Sequence, residues 1–103
     1  MNTQMKRGIL ELTLLWLISN KEAYGYELLK QMQVILPNQQ ERTTYAILKR
    51  LHANGQIELF AKETVAGPIR NYYRITPQGQ AYLSKLLEDW KDIIHIISQL
   101  GIQ

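Results

Sequence analysis

The stretch Glu41-Arg42-Thr43-Thr44-Tyr45-Ala46-Ile47-Leu48-Lys49-Arg50-Leu51-His52-Ala53-Asn54-Gly55-Gln56-Ile57-Glu58-Leu59-Phe60-Ala61-Lys62 changes its hydrophobic period part-way along, and that change decides the fold. Up to Ala53, a turn of about 100° per residue puts Thr44, Ile47, Leu48 and Leu51 on one side of a helix. Gly55 after Asn54 supplies the left-handed ending such a helix needs. The period then drops to two, with Ile57, Leu59 and Ala61 alternating with Glu58, Phe60 and Lys62.

A second alternating run follows, Asn71, Tyr73 and Ile75 against Arg70, Tyr72 and Arg74. The intervening Glu63–Ile69 holds the turn pair Gly67-Pro68, so the two runs form a hairpin with a mobile tip. Towards the N-terminus, Thr3 to Ile18 reads as a helix with one apolar face at Met5, Ile9, Leu12 and Trp16 and another at Leu10, Leu14 and Leu17. Such a helix must be covered from both sides. Asn20–Ala23 is a polar break, and Tyr24–Ile35 is a shorter helix through Tyr26, Leu28, Leu29 and Met32, stopped by Pro37-Asn38. Towards the C-terminus, Thr76-Pro77 starts a last helix, Thr as N-cap and Pro in the first turn. Three helices, a hairpin and a helix make a mainly α (α+β) chain, a winged helix-turn-helix with a two-stranded wing and a C-terminal dimerisation helix. Residues 1–75 are expected to form the reading domain and 76–103 the dimerisation helix.

At 103 residues this is one small domain, and 46% apolar residues suffice for a core, which a second subunit would extend. With no cysteine, a disulfide framework, a thiol nucleophile and a Cys-rich zinc site are excluded, and two distant histidines, His52 and His95, make no metal site. No phosphate loop or nucleophile motif is present, so an enzyme is not expected, nor any cofactor. Ile9–Ile18 follows Lys6 and Arg7 as a signal-peptide core would, but it is shorter than the about 20 residues a membrane span takes. Glu11 interrupts it, and Ser19-Asn20-Lys21-Glu22 offers no cleavage site, so a soluble cytoplasmic chain with no membrane partner is expected.

Charge is divided unevenly. Residues 1–75 carry ten Lys/Arg and six Asp/Glu, net +4, whereas residues 76–103 carry two and three, net −1. A basic body suits a polyanion. On the third helix, Arg42, Tyr45, Lys49 and His52 lie opposite the apolar side, with Arg50 flanking. A helix fits the major groove of double-stranded DNA, its N-terminal residues at base edges and its long cations at phosphates. Arg42 and Thr43 are therefore the candidates for base contact, and Tyr45, Lys49 and Arg50 for phosphate. Lys62, Arg70 and Arg74 on the hairpin give a wing that can follow the backbone or the minor groove. The competing reading is a winged-helix architectural or protein-interaction module without strong sequence preference.

In the last helix, heptad position a takes Leu83, Trp90 and Ile97, and d takes Leu86, Ile93 and Leu100. Leu87 and Ile94 at e widen the seam. These eight residues are the expected homodimer interface.

Three pieces in order carry a family resemblance: Tyr24-Gly25-Tyr26-Glu27-Leu28-Leu29, then Thr43-Thr44-Tyr45-Ala46-Ile47-Leu48-Lys49-Arg50-Leu51 through Gly55-Gln56-Ile57, then Arg70-Asn71-Tyr72-Tyr73-Arg74-Ile75-Thr76. Over essentially its whole length the chain resembles the PadR family of bacterial transcriptional regulators, in its short subfamily with a single C-terminal dimerisation helix. The resemblance implies a dimeric repressor on pseudo-palindromic promoter DNA, released by a small molecule. Multidrug-sensing members hold planar aromatic ligands between paired tryptophans of that helix, and Trp90 matches the tryptophan. The ligand site this implies is Trp90 with Leu86 and Ile93, and with Met5 and Leu12 as walls, while Trp16 is expected in the core. Three departures stand out. Arg42 occupies a place where many relatives carry Gly or Ala, Gln40 replaces the usual small N-cap, and the wing tip Gly67-Pro68-Ile69-Arg70 has less arginine than theirs.

Overall fold

The computed structural model describes residues 1–65 and 67–103. Its elements run α1 (Thr3–Asn20), β1 (Ala23–Tyr24), α2 (Gly25–Ile35), α3 (Glu41–Ala53), β2 (Ile57–Thr64), β3 (Gly67–Ile75) and α4 (Pro77–Leu100). Local chemistry sets most of the boundaries. The Asn2 side chain accepts the Met5 N–H at 2.9 Å and opens α1. Pro37 follows the end of α2. At the end of α3, Gly55 takes φ 73°, its N–H donates to the His52 carbonyl, and the Gln56 N–H reaches back to Leu51, both at 3.0 Å.

The sheet has three antiparallel strands in the order β1-β3-β2. The expected wing had two. The added strand is Ala23–Tyr24, paired with Tyr73 and Tyr72 on the free edge of β3, so the supposed polar break closes the sheet against the helices. In the hairpin, Ile57 faces Ile75, Phe60 faces Tyr72 and Lys62 faces Arg70, with an irregularity between Lys62 and Thr64. Both strands run further than the alternation indicated, to Thr64 and from Gly67. Of the tip expected to be mobile, Ala66 lies outside the described residues.

The core joins Leu10, Leu14, Leu15 and Ile18 of α1 with Leu28 and Met32 of α2, Ile47, Leu48 and Leu51 of α3, Ile57 at the wing root and Leu83 of α4. The root of the wing is stitched to α4. The Thr76 hydroxyl donates to the Gly55 carbonyl at 2.6 Å and accepts the Gly79 N–H at 3.0 Å, while the Thr76 N–H bonds the Gln56 carbonyl at 3.1 Å. A side chain at residue 79 would place Cβ 1.9 Å from the Gln56 carbonyl oxygen, so only glycine lets the first turn of α4 approach this closely.

Two expectations are corrected here. Leu83, expected at the start of the seam, is 4% exposed and packs in the chain's own core, because α4 crosses α1 there. Trp16, expected in the core, is 51% exposed: α1 is apolar nearly all round, and its buried apolar stripe is Leu10, Leu14, Leu15 and Ile18. From Lys91 to Leu100 every residue of α4 is exposed, and the chain is drawn out to 53 × 30 × 22 Å.

Candidate nucleic-acid interface

The buried stripe of α3 (Thr44, Ile47, Leu48 and Leu51) sets which residues turn outward. Arg42, Tyr45, Lys49 and His52 are exposed, and Thr43 is half-buried. The Arg42 Nε–H donates to the Gln40 side-chain oxygen at 2.9 Å, a contact at the surface that leaves the guanidinium accessible and, among the described residues, without a carboxylate partner. Tyr45 leans towards α2, its ring near the Gly25 backbone. It also flanks Tyr73, whose hydroxyl is pushed above its ordinary pKa, chiefly by burial and then by Tyr45.

Arg50 does not join this face. Its Nη2 donates to Glu11 Oε1 at 2.6 Å, across 39 residues of sequence. The Glu11 side chain is only 8% exposed. Its other oxygen, Oε2, accepts the Tyr82 hydroxyl at 2.5 Å, and Arg7 flanks it at 3.6 Å. One buried carboxylate thus ties α1, α3 and α4 together, and a buried charge is tolerable because it is paired and hydrogen-bonded. Burial, then the bond to Glu11, pushes the Tyr82 hydroxyl up to about 12. The sequence reading missed this cluster, although a carboxylate within the apolar run Ile9–Ile18 was the signal for it.

On the sheet, Tyr24, Tyr72 and Phe60 form an aromatic ladder, with centroids 5.4 Å apart for Tyr24–Tyr72 and 6.0 Å for Phe60–Tyr72. The wing cations lie on it. Lys62 stands 4.9 Å from the Tyr72 centroid, Arg70 4.5 Å from Tyr24 and Arg74 4.6 Å from Phe60. Arg74 also donates from Nε to Glu58 at 2.6 Å, so its charge is compensated, whereas Lys62 and Arg70 have no carboxylate partner among the described residues. Among the described residues, α3 and the wing therefore present four cations without a carboxylate partner, Arg42, Lys49, Lys62 and Arg70.

Two grooves flank α1. One of about 650 Å³ runs between the N-terminal turns of α1 and α3, lined by Thr3, Lys6, Arg7, Leu10, Arg42, Thr43, Ala46, Ile47 and Arg50. The other, about 400 Å³, is apolar and lined by Leu12, Thr13, Trp16, Ile35 and Leu87. The residues expected around a ligand are not all brought together. Leu12 is in the apolar groove, but Trp90 is half-buried beside Gly8, where a Cβ would stand 3.6 Å from its indole. Leu86 is half-buried against the core, and Met5 and Ile93 are exposed. Among the described residues no cluster of His, Asp or Glu could hold a metal ion, and no helix is long and apolar enough to cross a membrane.

Residues 14–85 match the model of the transcriptional regulator PadR-like family. An uncharacterised protein of Lysinibacillus sphaericus is 38% identical over 94 residues, covering 88% of this chain and 86% of that protein. The crystal structure of a PadR-like transcriptional regulator from Bacillus cereus superposes with a TM-score of 0.87 at 31% identity, over 98% of this chain and 99% of the other. A Streptococcus transcriptional regulator superposes with a TM-score of 0.88 at 28% identity, over 97% and 99%.

Proposed function

The chain belongs to the PadR-like family of transcriptional regulators, and we propose that it works there as a homodimeric repressor of cytoplasmic promoter DNA. The observation that carries this reading is the set of open cations on two adjacent elements, Arg42 and Lys49 on α3 and Lys62 and Arg70 on the wing, held by a packed core. Arg42 and Thr43 are the base readers at the N-terminus of α3, and Tyr45, Lys49 and the wing grip phosphate. Arg50 and Arg74 hold these elements in place through Glu11 and Glu58.

The exposed apolar end of α4 supports self-association. Ile93, Ile94, Ile97 and Leu100, with the flanks of Trp90, Leu86 and Leu87, form the seam, and the second copy sets two reading helices about 34 Å apart on a pseudo-palindrome. Residues 1–75 read and 76–103 pair, with Leu83 counted in the reading domain's core.

Binding to operator fragments selected from genomic DNA tests the reading. Arg42→Ala/Lys49→Ala/Arg70→Ala is expected to lose the selected duplex by at least about 100-fold, since the base-directed Arg42 contributes about 1–3 kcal/mol and the two lost phosphate contacts add to it. Equal affinity of the parent for selected and random duplexes would assign an architectural role instead. A planar aromatic effector beside Trp90 completes the proposal, because an indole at a subunit seam can stack on a flat ligand. A planar cationic dye is expected to quench tryptophan fluorescence in the parent and much less in Trp90→Ala; equal quenching of both removes the effector site.

A further inference from the structure

The larger groove carries an inference that deepens the reading above and rests on it. Its described lining holds four cations, Lys6, Arg7, Arg42 and Arg50, and no carboxylate. Glu11 lies beneath it, but that carboxylate is already taken by Arg50 at 2.6 Å and Tyr82 at 2.5 Å. Arg7 reaches Glu11 only at 3.6 Å and keeps a side chain 56% exposed. Arg50 is thus compensated, and Lys6, Arg7 and Arg42 make the groove a cationic channel. Its floor is apolar, from Leu10 and Ala46 among others.

A cationic rim over an apolar floor matches a sugar-phosphate strand: phosphate oxygens take the charges and the deoxyribose lies on the alkyl surface. The position of the groove selects the same ligand, because it opens beside Arg42 and Thr43, the residues at the reading end of α3. A strand leaving those residues on the α1 side runs into it. We propose that the first two turns of α1 form a second DNA-backbone clamp, in which Lys6 and Arg7 each neutralise a phosphate flanking the bases read by α3. The footprint on DNA is then wider than helix and wing alone, and Lys6 and Arg7 add affinity without adding sequence preference.

The test is the salt dependence of binding, measured by fluorescence anisotropy on a selected operator duplex and on a random duplex of equal length. Each lost phosphate contact reduces the slope of log affinity against log salt by about 0.9. Lys6→Gln/Arg7→Gln is therefore expected to reduce it by about 1.8 on both duplexes, so that a fourfold rise in salt weakens the variant about 12-fold less than the parent. Lys6→Gln alone, which touches no ion pair among the described residues, is expected to give half the change. Lys85→Gln/Lys91→Gln, which removes the same charge from α4, is expected to leave the slope alone. An unchanged slope in the α1 variants, or an equal change in the α4 control, overturns the clamp. Failure of the reading itself looks different: the parent then binds both duplexes equally, while the effect of the α1 substitutions on the slope is still measured on either one.

Discussion

Leu83 and Ile97 occupy the same heptad position on one helix, two heptads apart, yet Leu83 is 4% exposed and Ile97 42%. Both halves of α4 carry a similar apolar stripe, and only the first half meets a partner inside the chain. The reason is reach. At about 1.5 Å per residue, Ile97 lies roughly 21 Å beyond Leu83, where the helix has left α1 and the core behind. The pattern encodes that a stripe is to be covered, and the tertiary structure decides whether the cover belongs to the same chain. The docked half is also fixed by polar geometry, Gly79 against Gln56 and Tyr82 against Glu11, and among the described residues the free half has no equivalent.

The sharpest way to break this contrast is to truncate one residue in each half. Leu83→Ala removes a side chain buried in the chain's own core, and is expected to cost about 2–5 kcal/mol of stability, the range for buried leucines. Because the contact is internal, the loss should be the same at every protein concentration in urea unfolding. Ile97→Glu is expected to leave urea unfolding of the protomer nearly unchanged and to raise the dissociation constant of the proposed dimer at least about 100-fold, as a carboxylate is forced into the proposed apolar seam. Sedimentation equilibrium reads that number. If Ile97→Glu melts the protomer, or if Leu83→Ala acts only through assembly, the division of α4 into a docked and a free half is wrong.

The same division explains what could be read from the sequence. Both ends of α3, the Gly55 turn and the Thr76-Pro77 start of α4 rest on residues within four positions of each other, and each is where local chemistry put it. Thr44 on the buried side of α3 was legible for the same reason. What could not be read is pairing at a distance. Ala23–Tyr24 is too short to show a period and is a strand only because β3 offers it an edge. Arg50 flanks the outer face by angle alone, and it is drawn away by a carboxylate 39 residues earlier. The orientation of α1 was equally hidden: with apolar residues nearly all round, nothing local told the stripe of Leu10 and Leu14 from the stripe that carries Trp16. Glu11 was the exception. A lone carboxylate in an apolar run already asked for a buried cation.

The smallest expected effect is a pH signature confined to the docked half. Tyr82 lies one residue before Leu83 and holds Glu11 through its hydroxyl, whose pKa rises from 10.0 to about 12 on folding. The folded state therefore keeps a proton that the unfolded chain releases. Stability from this bond is fully present below pH 10 and is lost as pH climbs through 12. Tyr82→Phe removes the hydroxyl and keeps the ring, with an expected loss of about 1 kcal/mol near neutrality, typical of one hydrogen bond. The other ionisations of the chain are common to both proteins, so the difference between parent and variant isolates this one. That difference is expected to stay constant up to pH 10 and to shrink between pH 10 and 12 in urea unfolding. A difference that stays flat across that window means the Tyr82 hydroxyl does not hold Glu11, and leaves the grip of α4 on α1 to apolar packing.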